Sequence, residues 1–492
     1  MKKLFVALTL FTGAACTSLT TLELPQIEAT EALPLAISKP ANPSSPLDTQ
    51  PLPSAALQES QALIVYQPDS GEILLHRVDP RNGQDATKTL PLHLGDSDSG
   101  SILSSLSTDG KRLALTSGTG ESCEPYSGGS YCMGSQDTLT LVDLPKWQPN
   151  EIELPGAGWT SALAFNPDGS RLALAYHQPE GDRLLTFDTH RGAQLTNREL
   201  PFTPQWMDFA LDGSALALVG SQPGENPGMS QPGELQLLLL DSDSLEIRWQ
   251  LDLAGVLSGE WCLENCAGSY EEIRFAYYQP AILLSADSTK IFVIHAGEEK
   301  FTRLDLKEQL SRTIDIQAVG SWLERLLSWT ATRAQAKTMP VGQIRKGVLS
   351  PNGSMLFIAT QNMFAESPED NPMITLQGVD LERGRVIAEA ESMELNYTQG
   401  LFLAPGGDEL LLVGWDQNSP RSEIYDLNLS RLGFLDGWQV SQSSDTLGTP
   451  RLLGSNQGDG RTVLGAVEPE NFEIYDAWVQ GGLAWWPVSN SH

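Results

Sequence analysis

A turn followed by an alternating strand recurs along most of this chain, and no other feature constrains its fold as strongly. FNPDGSRLALAYH (165–177) places Pro-Asp-Gly between an apolar strand end and an alternating run of Leu and Ala. The same pattern returns in LSTDGKRLALTSG (106–118), FALDGSALALVGS (209–221), LLSADSTKIFVIHAG (283–297), VLSPNGSMLFIATQ (348–361), FLAPGGDELLLVGWD (402–416) and GSNQGDGRTVLGAV (454–467). An apolar strand, a turn whose Asp, Asn and Gly tolerate φ > 0, and a second alternating strand make a β-hairpin.

A third strand follows each hairpin and ends in Asp: TLTLVDL, LLTFDT, LQLLLLDSDS, FTRLDL, ITLQGVDLERG, SEIYDLN and FEIYDAW. An eighth such strand, EILLHRVDPRNG at 72–83, sits behind LIVYQ. Room for a short outer strand follows each, as in EIELP or LAWWPV. Four antiparallel strands per unit, repeated around a circle, predict an all-β fold, a β-propeller of seven or eight four-stranded blades. Eight is the favoured count, with LAWWPV closing the ring; merging of the terminal units leaves seven.

The turn-and-strand pattern SPDGxxLxL resembles propellers of the TolB, YVTN and WD-repeat type, over roughly residues 61–488. That resemblance implies architecture and says almost nothing of activity. Resemblance to TolB implies protein partners at an envelope complex.

In such a blade the links between first and second strands, and between third and fourth, leave one face of the disc. The remaining links leave the other face, and the long insertions fall there: SGTGESCEPYSGGSYCMGSQD, SQPGENPGMSQPGE, QNMFAESPEDNP, LAGVLSGEWCLENCAGSYEE and VGSWLERLLSWTATRAQAKTMPVGQ. Insertions gathered on one face of a repeat fold mark a binding face. Ser321-Trp322-Leu323-Glu324 fits a capping box and Pro340 a stop, so the last insertion should hold one short helix. Its stripe of Trp322, Leu323, Leu326, Leu327 and Trp329 packs on the propeller rim or plugs the channel mouth, binds a partner, or contacts a membrane surface. Tyr126, Tyr131, Trp261 and Phe364 join Trp322 and Trp329 as candidate binding-face residues, since aromatics present large area at small entropic cost.

The N-terminus, MKKLFVALTLFTGAACTS, reads as a signal peptide over residues 1–15: two Lys, a short apolar run, then small residues before Cys16. Gly13-Ala14-Ala15-Cys16 resembles the lipobox of bacterial lipoproteins, although that family usually has an aliphatic residue where Gly13 stands. The resemblance implies lipidation of Cys16 and, because Thr17 and not Asp follows, sorting to the outer membrane. Residues 16–60, rich in Pro, Ser and Thr, read as a flexible tether, and 61–492 as the propeller domain. Of the 5 cysteines, the other four form two close pairs, Cys123 with Cys132 and Cys262 with Cys266. Export to an oxidising space predicts two local disulfides. A zinc site is the rival, but neither pair has C-x-x-C spacing or a neighbouring His.

A formal charge of −31, from 31 basic against 62 acidic side chains, argues against nucleic acid and anionic lipid as partners. Membrane contact is expected through the lipid anchor alone, and the protein as a monomer. His177 and His295 each end the second strand of a hairpin, in units that are not adjacent, so no metal site is expected from them. The DSDS runs at 96–99 and 241–244 lack the full calcium loop. No nucleophile elbow, phosphate loop, H-E-x-x-H or haem-attachment motif occurs, and no cofactor is expected. The function expected is a non-catalytic scaffold of the bacterial cell envelope that binds a protein or other macromolecule. The alternatives are a propeller enzyme, a lactonase-like hydrolase or quinoprotein-like dehydrogenase, with its site in the central channel, and a structural envelope component with no dedicated ligand.

Overall fold

The turns of the repeat are four-residue turns whose last residue is left-handed. Gly110, Gly169, Gly213 and Gly353 hold that position at φ of 64° to 69°, where a side chain is strained and glycine is not. Each donates its N–H to the carbonyl three residues back, at 2.8–2.9 Å. The residue before the glycine is fixed by the same geometry: Asp109, Asp168, Asp212 and Asn352 accept the N–H two positions on, at 2.8–3.1 Å. Side-chain oxygens of Ser107, Asn166, Ser285 and Ser350 accept from the first residue of the following strand at 2.8–2.9 Å. The recurring sequence is therefore a hydrogen-bonding pattern. Gly is absent only from the turn at 285–288, where Ser288 takes φ of 51°.

A computed structural model of the chain describes residues 62–481, apart from 67–71, 79–84, 94–102, 118–119, 127–128, 136–137, 157, 179, 222–232, 265–273, 318–339, 365–373, 393, 404–406, 417–419, 439–451, 457–460 and 468–473. The chain divides into the units Met1–Pro43 and Ser44–His492, and all described residues lie in the second. They form strands without any helix; the expected helix at 321–339 falls outside them.

The strands form eight successive antiparallel meanders, here A to H. A comprises β1 (Ala62–Tyr66), β2 (Glu72–Val78) and β3 (Asp85–His93). B comprises β4 (Leu103–Leu106), β5 (Arg112–Ser117), β8 (Thr138–Asp143) and β9 (Gln148–Glu153), with β6 (Gly120–Tyr126) and β7 (Gly129–Ser135) as a separate hairpin between its second and third strands. C is β10 (Trp159–Phe165), β11 (Arg171–Gln178), β12 (Gly181–Asp188) and β13 (Ala193–Glu199); D is β14 (Thr203–Phe209), β15 (Ala215–Ser221), β16 (Gly233–Asp241) and β17 (Ile247–Glu264). After β18 (Arg274–Gln279) comes E, with β19 (Ala281–Leu284), β20 (Lys290–Ile294), β21 (Lys300–Asp305) and β22 (Leu310–Asp315). F is β23 (Pro340–Leu349), β24 (Met355–Phe364), β25 (Ile374–Asp380) and β26 (Arg385–Ser392). G is β27 (Tyr397–Leu403), β28 (Glu409–Trp415), β29 (Pro420–Asp426) and β30 (Arg431–Asp436), and H is β31 (Leu452–Asn456), β32 (Arg461–Val467) and β33 (Ile474–Gly481).

Packing turns these meanders into a propeller. Alternate residues of a strand leave opposite faces of its sheet, and here both faces are apolar. On β15, Leu216 and Leu218 pack with C, while Ala215, Ala217 and Val219 pack with E. On β20, Ile291 and Val293 face D, and Phe292 and Ile294 face F. On β24, Leu356 and Ile358 face E, and Phe357 and Ala359 face G. Every sheet from C to F is thus filled on both sides by its neighbours in chain order. The first strands are innermost, β4 beside β10, β10 beside β14, β19 beside β23, and β23 beside β27. Outermost β9, β13 and β22 are mostly exposed.

Seven or eight separate four-stranded sheets were expected, and the structure shows four, namely B, C, E and G. D and F do not stand apart because β18 pairs with both β17 and β23 and fuses them into one nine-stranded sheet. A and H have three described strands each.

In B to G the Asp that ends the third strand is a turn cap, whereas Asp476 of FEIYDAW lies inside β33, paired with Ala466. Asp188 accepts the N–H groups of His190 and Arg191 at 2.8 and 3.0 Å, and Asp241, Asp305, Asp380 and Asp426 repeat the pattern. The DSDS run at 241–244 is one of these caps. In C, D, E and F the turn also bonds back to the first turn of its meander: Thr189 N–H to Ser170 O, Ser242 N–H to Ser214 O, Leu306 N–H to Thr289 O, Leu381 N–H to Ser354 O. Arg171 then reaches from C to D, donating to Ser242 O at 2.9 Å and pairing with Asp243 at 2.7 Å. One face of the propeller is thereby made of short, mutually bonded turns.

Candidate functional site

The opposite face carries the insertions, and their described parts are extra β-structure. β6 and β7 form a hairpin in which Cys123 stands directly opposite Cys132 and Tyr131 opposite Glu124; Tyr126 ends β6. β17 runs for 18 residues. Its first part pairs with β16, and beyond Gly255 (φ 80°) and Gly259 (φ 109°) its end pairs with β18, with Trp261 opposite Ala276 and Cys262 opposite Phe275. β18 then adds in parallel to the start of β23, Tyr278 beside Gln343 and Gln279 beside Ile344. An arm therefore links the outer strand of D to the innermost strand of F, past E. Phe364 ends β24 opposite Pro340, on the same arm. Cys16, Cys266, Trp322 and Trp329 lie outside the described residues.

Two polar clusters lie beneath this face. His177 is the penultimate residue of β11 in C and His295 directly follows β20 in E, and each has a bonded partner. His177 Nδ1 lies 2.7 Å from Asp182, which also accepts from Thr203 of D at 2.8 Å, and the Trp159 indole lies tilted at 37° against the imidazole with ring centroids 3.9 Å apart. His295 is buried; its Nε2 lies 2.8 Å from Thr302 Oγ1, which meets Thr313 at 2.9 Å. Burial pushes His295 down to about 4, with Lys300 and Arg345 nearby acting in the same sense against Glu298, so it is neutral at physiological pH. Arg345, 1% exposed, donates to Gln343 at 2.8 Å and to Glu299 at 2.7 Å, and also reaches Thr360. These groups join neighbouring meanders, and their contacts are those of interblade ties. Another tie closes F on G at the rim: Arg431 pairs with Glu394 at 2.9 Å and lies 3.7 Å from the fully buried Glu423, which accepts from Tyr425 at 2.7 Å.

A cavity of about 1280 Å³ lies along the innermost strands β14, β19, β23 and β27. It extends from Gln205 and Gln279 to the tight turns at Ser285 and Ser350. Trp206 and Asp208, two residues apart on β14, both line it, as does Lys346 of β23. Asp208 accepts from the N–H of Phe209 at 2.8 Å, and burial outweighs that bond and pushes its carboxyl up to about 6. Such a group exchanges its proton near neutrality and can act as an acid, a base or a charge-pairing partner. Neither Trp206 nor Asp208 was expected from the sequence. The signal was present in TPQWMDF, where a carboxylate interrupts a strand position that is apolar in most other units. Among the described residues, no three His, Cys, Asp or Glu side chains group as a metal site would require.

No protein family model matches the chain, and no curated protein sequence matches it. Solved structures do resemble it. Dihydro-heme d1 dehydrogenase NirN in complex with DHE aligns over 91% of this chain and 78% of its own, at 12% identity and a TM-score of 0.52. The β-propeller domain of Cps50 (Swd1) from Myceliophteria thermophila aligns over 80% of this chain and 98% of its own, at 11% identity and a TM-score of 0.40. Hydrazine synthase of Kuenenia stuttgartiensis aligns over 76% and 79%, at 12% identity and a TM-score of 0.34. The likeness to the dehydrogenase is one of fold, and it agrees with the radial packing of the meanders: the chain is an all-β protein with a propeller fold.

Proposed function

We propose that this propeller is an exported protein of the bacterial cell envelope, anchored by lipid on Cys16 through the tether at 16–60, that binds a protein or other macromolecule with its insertion-bearing face. The outer membrane is the favoured location. The observation that carries this reading is the contrast between faces. One is closed by short turns bonded to one another. The other is built up by the β6–β7 hairpin and the arm of β17, β18 and β23. Two disulfides, Cys123–Cys132 and Cys262–Cys266, are proposed to stiffen this face, and the direct opposition of Cys123 and Cys132 supports the first. Opposed residues of antiparallel strands have Cα atoms about 4.5–5.5 Å apart, within the range of about 4.4–6.8 Å that a disulfide spans.

The test is capture by chemical crosslinking in the native envelope, comparing the intact protein with one whose residues 118–137 are replaced by a Gly-Ser turn. Loss of a captured partner with an unchanged melting curve supports the reading; identical capture by both forms overturns it. A channel enzyme is the second reading, favoured by Asp208 in the central cavity. Turnover that survives the 118–137 replacement but is lost in Asp208→Asn would establish it instead.

A further inference from the structure

Strand register singles out Asp208. The equivalent inner-strand positions pair Ala164 with Ala173, Asp208 with Ala217, Leu283 with Phe292, Val348 with Phe357, and Phe402 with Leu411. At this level C, E, F and G carry an apolar residue, and D alone carries a carboxylate. Among the described residues Asp208 makes one hydrogen bond, accepting from the N–H of the adjacent residue, Phe209. No cation among the described residues lies within ion-pair distance of it, and only burial and that N–H act on its titration. An unneutralised carboxylate facing a cavity is costly to the fold unless a ligand supplies the missing charge.

The neighbouring residue indicates the chemistry of that ligand. Trp206 shares a face of β14 with Asp208, because residues two apart in a strand project to the same side. One strand further along the cavity, the positions level with Trp206 are Ala281 and, beyond it, Lys346 and Gly400, so two of the four are small and leave space. An indole beside a carboxylate is a pairing that favours an alkylammonium or guanidinium group, through cation–π attraction and a charge-assisted hydrogen bond. The ring of Leu283, Val348 and Phe402 suits an apolar body, and a net charge of −31 draws cations toward the protein.

We infer that the central cavity binds an organic cation with an apolar body, its ammonium or guanidinium group held by Asp208 and Trp206. This site is separate from the insertion face, and its failure leaves the reading of that face untouched.

Calorimetric titration of the full chain with benzylammonium, and with benzyl alcohol as the neutral isostere, tests the assignment. Saturable one-site binding of benzylammonium is expected. Benzyl alcohol and the Asp208→Asn protein should each weaken binding at least about tenfold, the worth of one charge-assisted hydrogen bond. Trp206→Leu should weaken it several-fold, with thermal melts establishing that both variants are folded. Absence of saturable binding to the intact protein, or equal affinity in Asp208→Asn, overturns the proposal. Saturable binding of calcium chloride that requires Asp208 and excludes benzylammonium overturns it as well, by making the site one for an inorganic cation.

Discussion

Asp208→Asn separates the cost of this carboxyl to folding from its use. In the folded protein Asp208 titrates at about 6, against an ordinary value of 3.8. Below pH 3.8 both folded and unfolded chains hold the proton, and the group contributes no difference. As pH rises toward 6 the unfolded chain gives the proton up while the folded one keeps it, so stability falls; above 6 the full penalty applies. Two pH units at 1.36 kcal/mol each give an upper limit of about 3 kcal/mol. Asp208 retains some solvent exposure, and water screening brings the working figure to about 1–2 kcal/mol. Asparagine can keep the bond from Phe209 N–H, which is 2.8 Å long in the parent, and it has no charge to bury. The variant should therefore be more stable than the parent by about 1–2 kcal/mol at pH 8, with the difference vanishing toward pH 4. Urea unfolding of both proteins across pH 4–8 measures this difference directly. A variant that is less stable at pH 8, or a difference that does not change with pH, would refute the reasoning.

Other expectations follow from the ties between meanders. Arg171→Ala removes the bonds to Ser242 and Asp243 and should cost about 1–2 kcal/mol in urea unfolding; Arg171→Lys should recover only part, because an ammonium lacks the guanidinium fork. Arg431→Leu leaves the buried Glu423 without its nearest cation and should cost about 3 kcal/mol, whereas a loss below about 0.5 kcal/mol would mean the pair is solvated. Non-reducing peptide mapping of protein recovered from the envelope should find Cys123 linked to Cys132, and two free thiols at these positions would contradict the proposed disulfide.

The parts of this fold that were legible in the sequence are those written in local hydrogen bonds. Asn166, Asp168 and Gly169 each answer to one demand of a single turn, so the motif and the strands beside it could be read together. Asp188 and Asp241 marked strand ends for a similar reason, as caps of the next turn. What escaped was long-range. The pairing of Tyr278 with Gln343 joins segments with all of E between them, and GEWCLE gave no sign that β17 would continue as a strand to Glu264. That one pairing fuses D to F and changes the count of separate sheets. Asp208 escaped for another reason: its neighbours Met207 and Phe209 fit the apolar pattern of an inner strand, and a single carboxylate between them is noticed only once the register aligns it with Leu283 and Val348.

The claim that the insertion face is the binding surface is tested most directly by site-specific photocrosslinking in the native envelope. A photoreactive residue placed at Glu124 on β6 or Glu260 on β17 would report on that face. The same residue placed at Asp168 or Asn352 would report on the tight turns. Discrete adducts from the first pair and none from the second are expected. Adducts from the turns alone, equal labelling from both faces, or none from Glu124 and Glu260 would contradict the assignment.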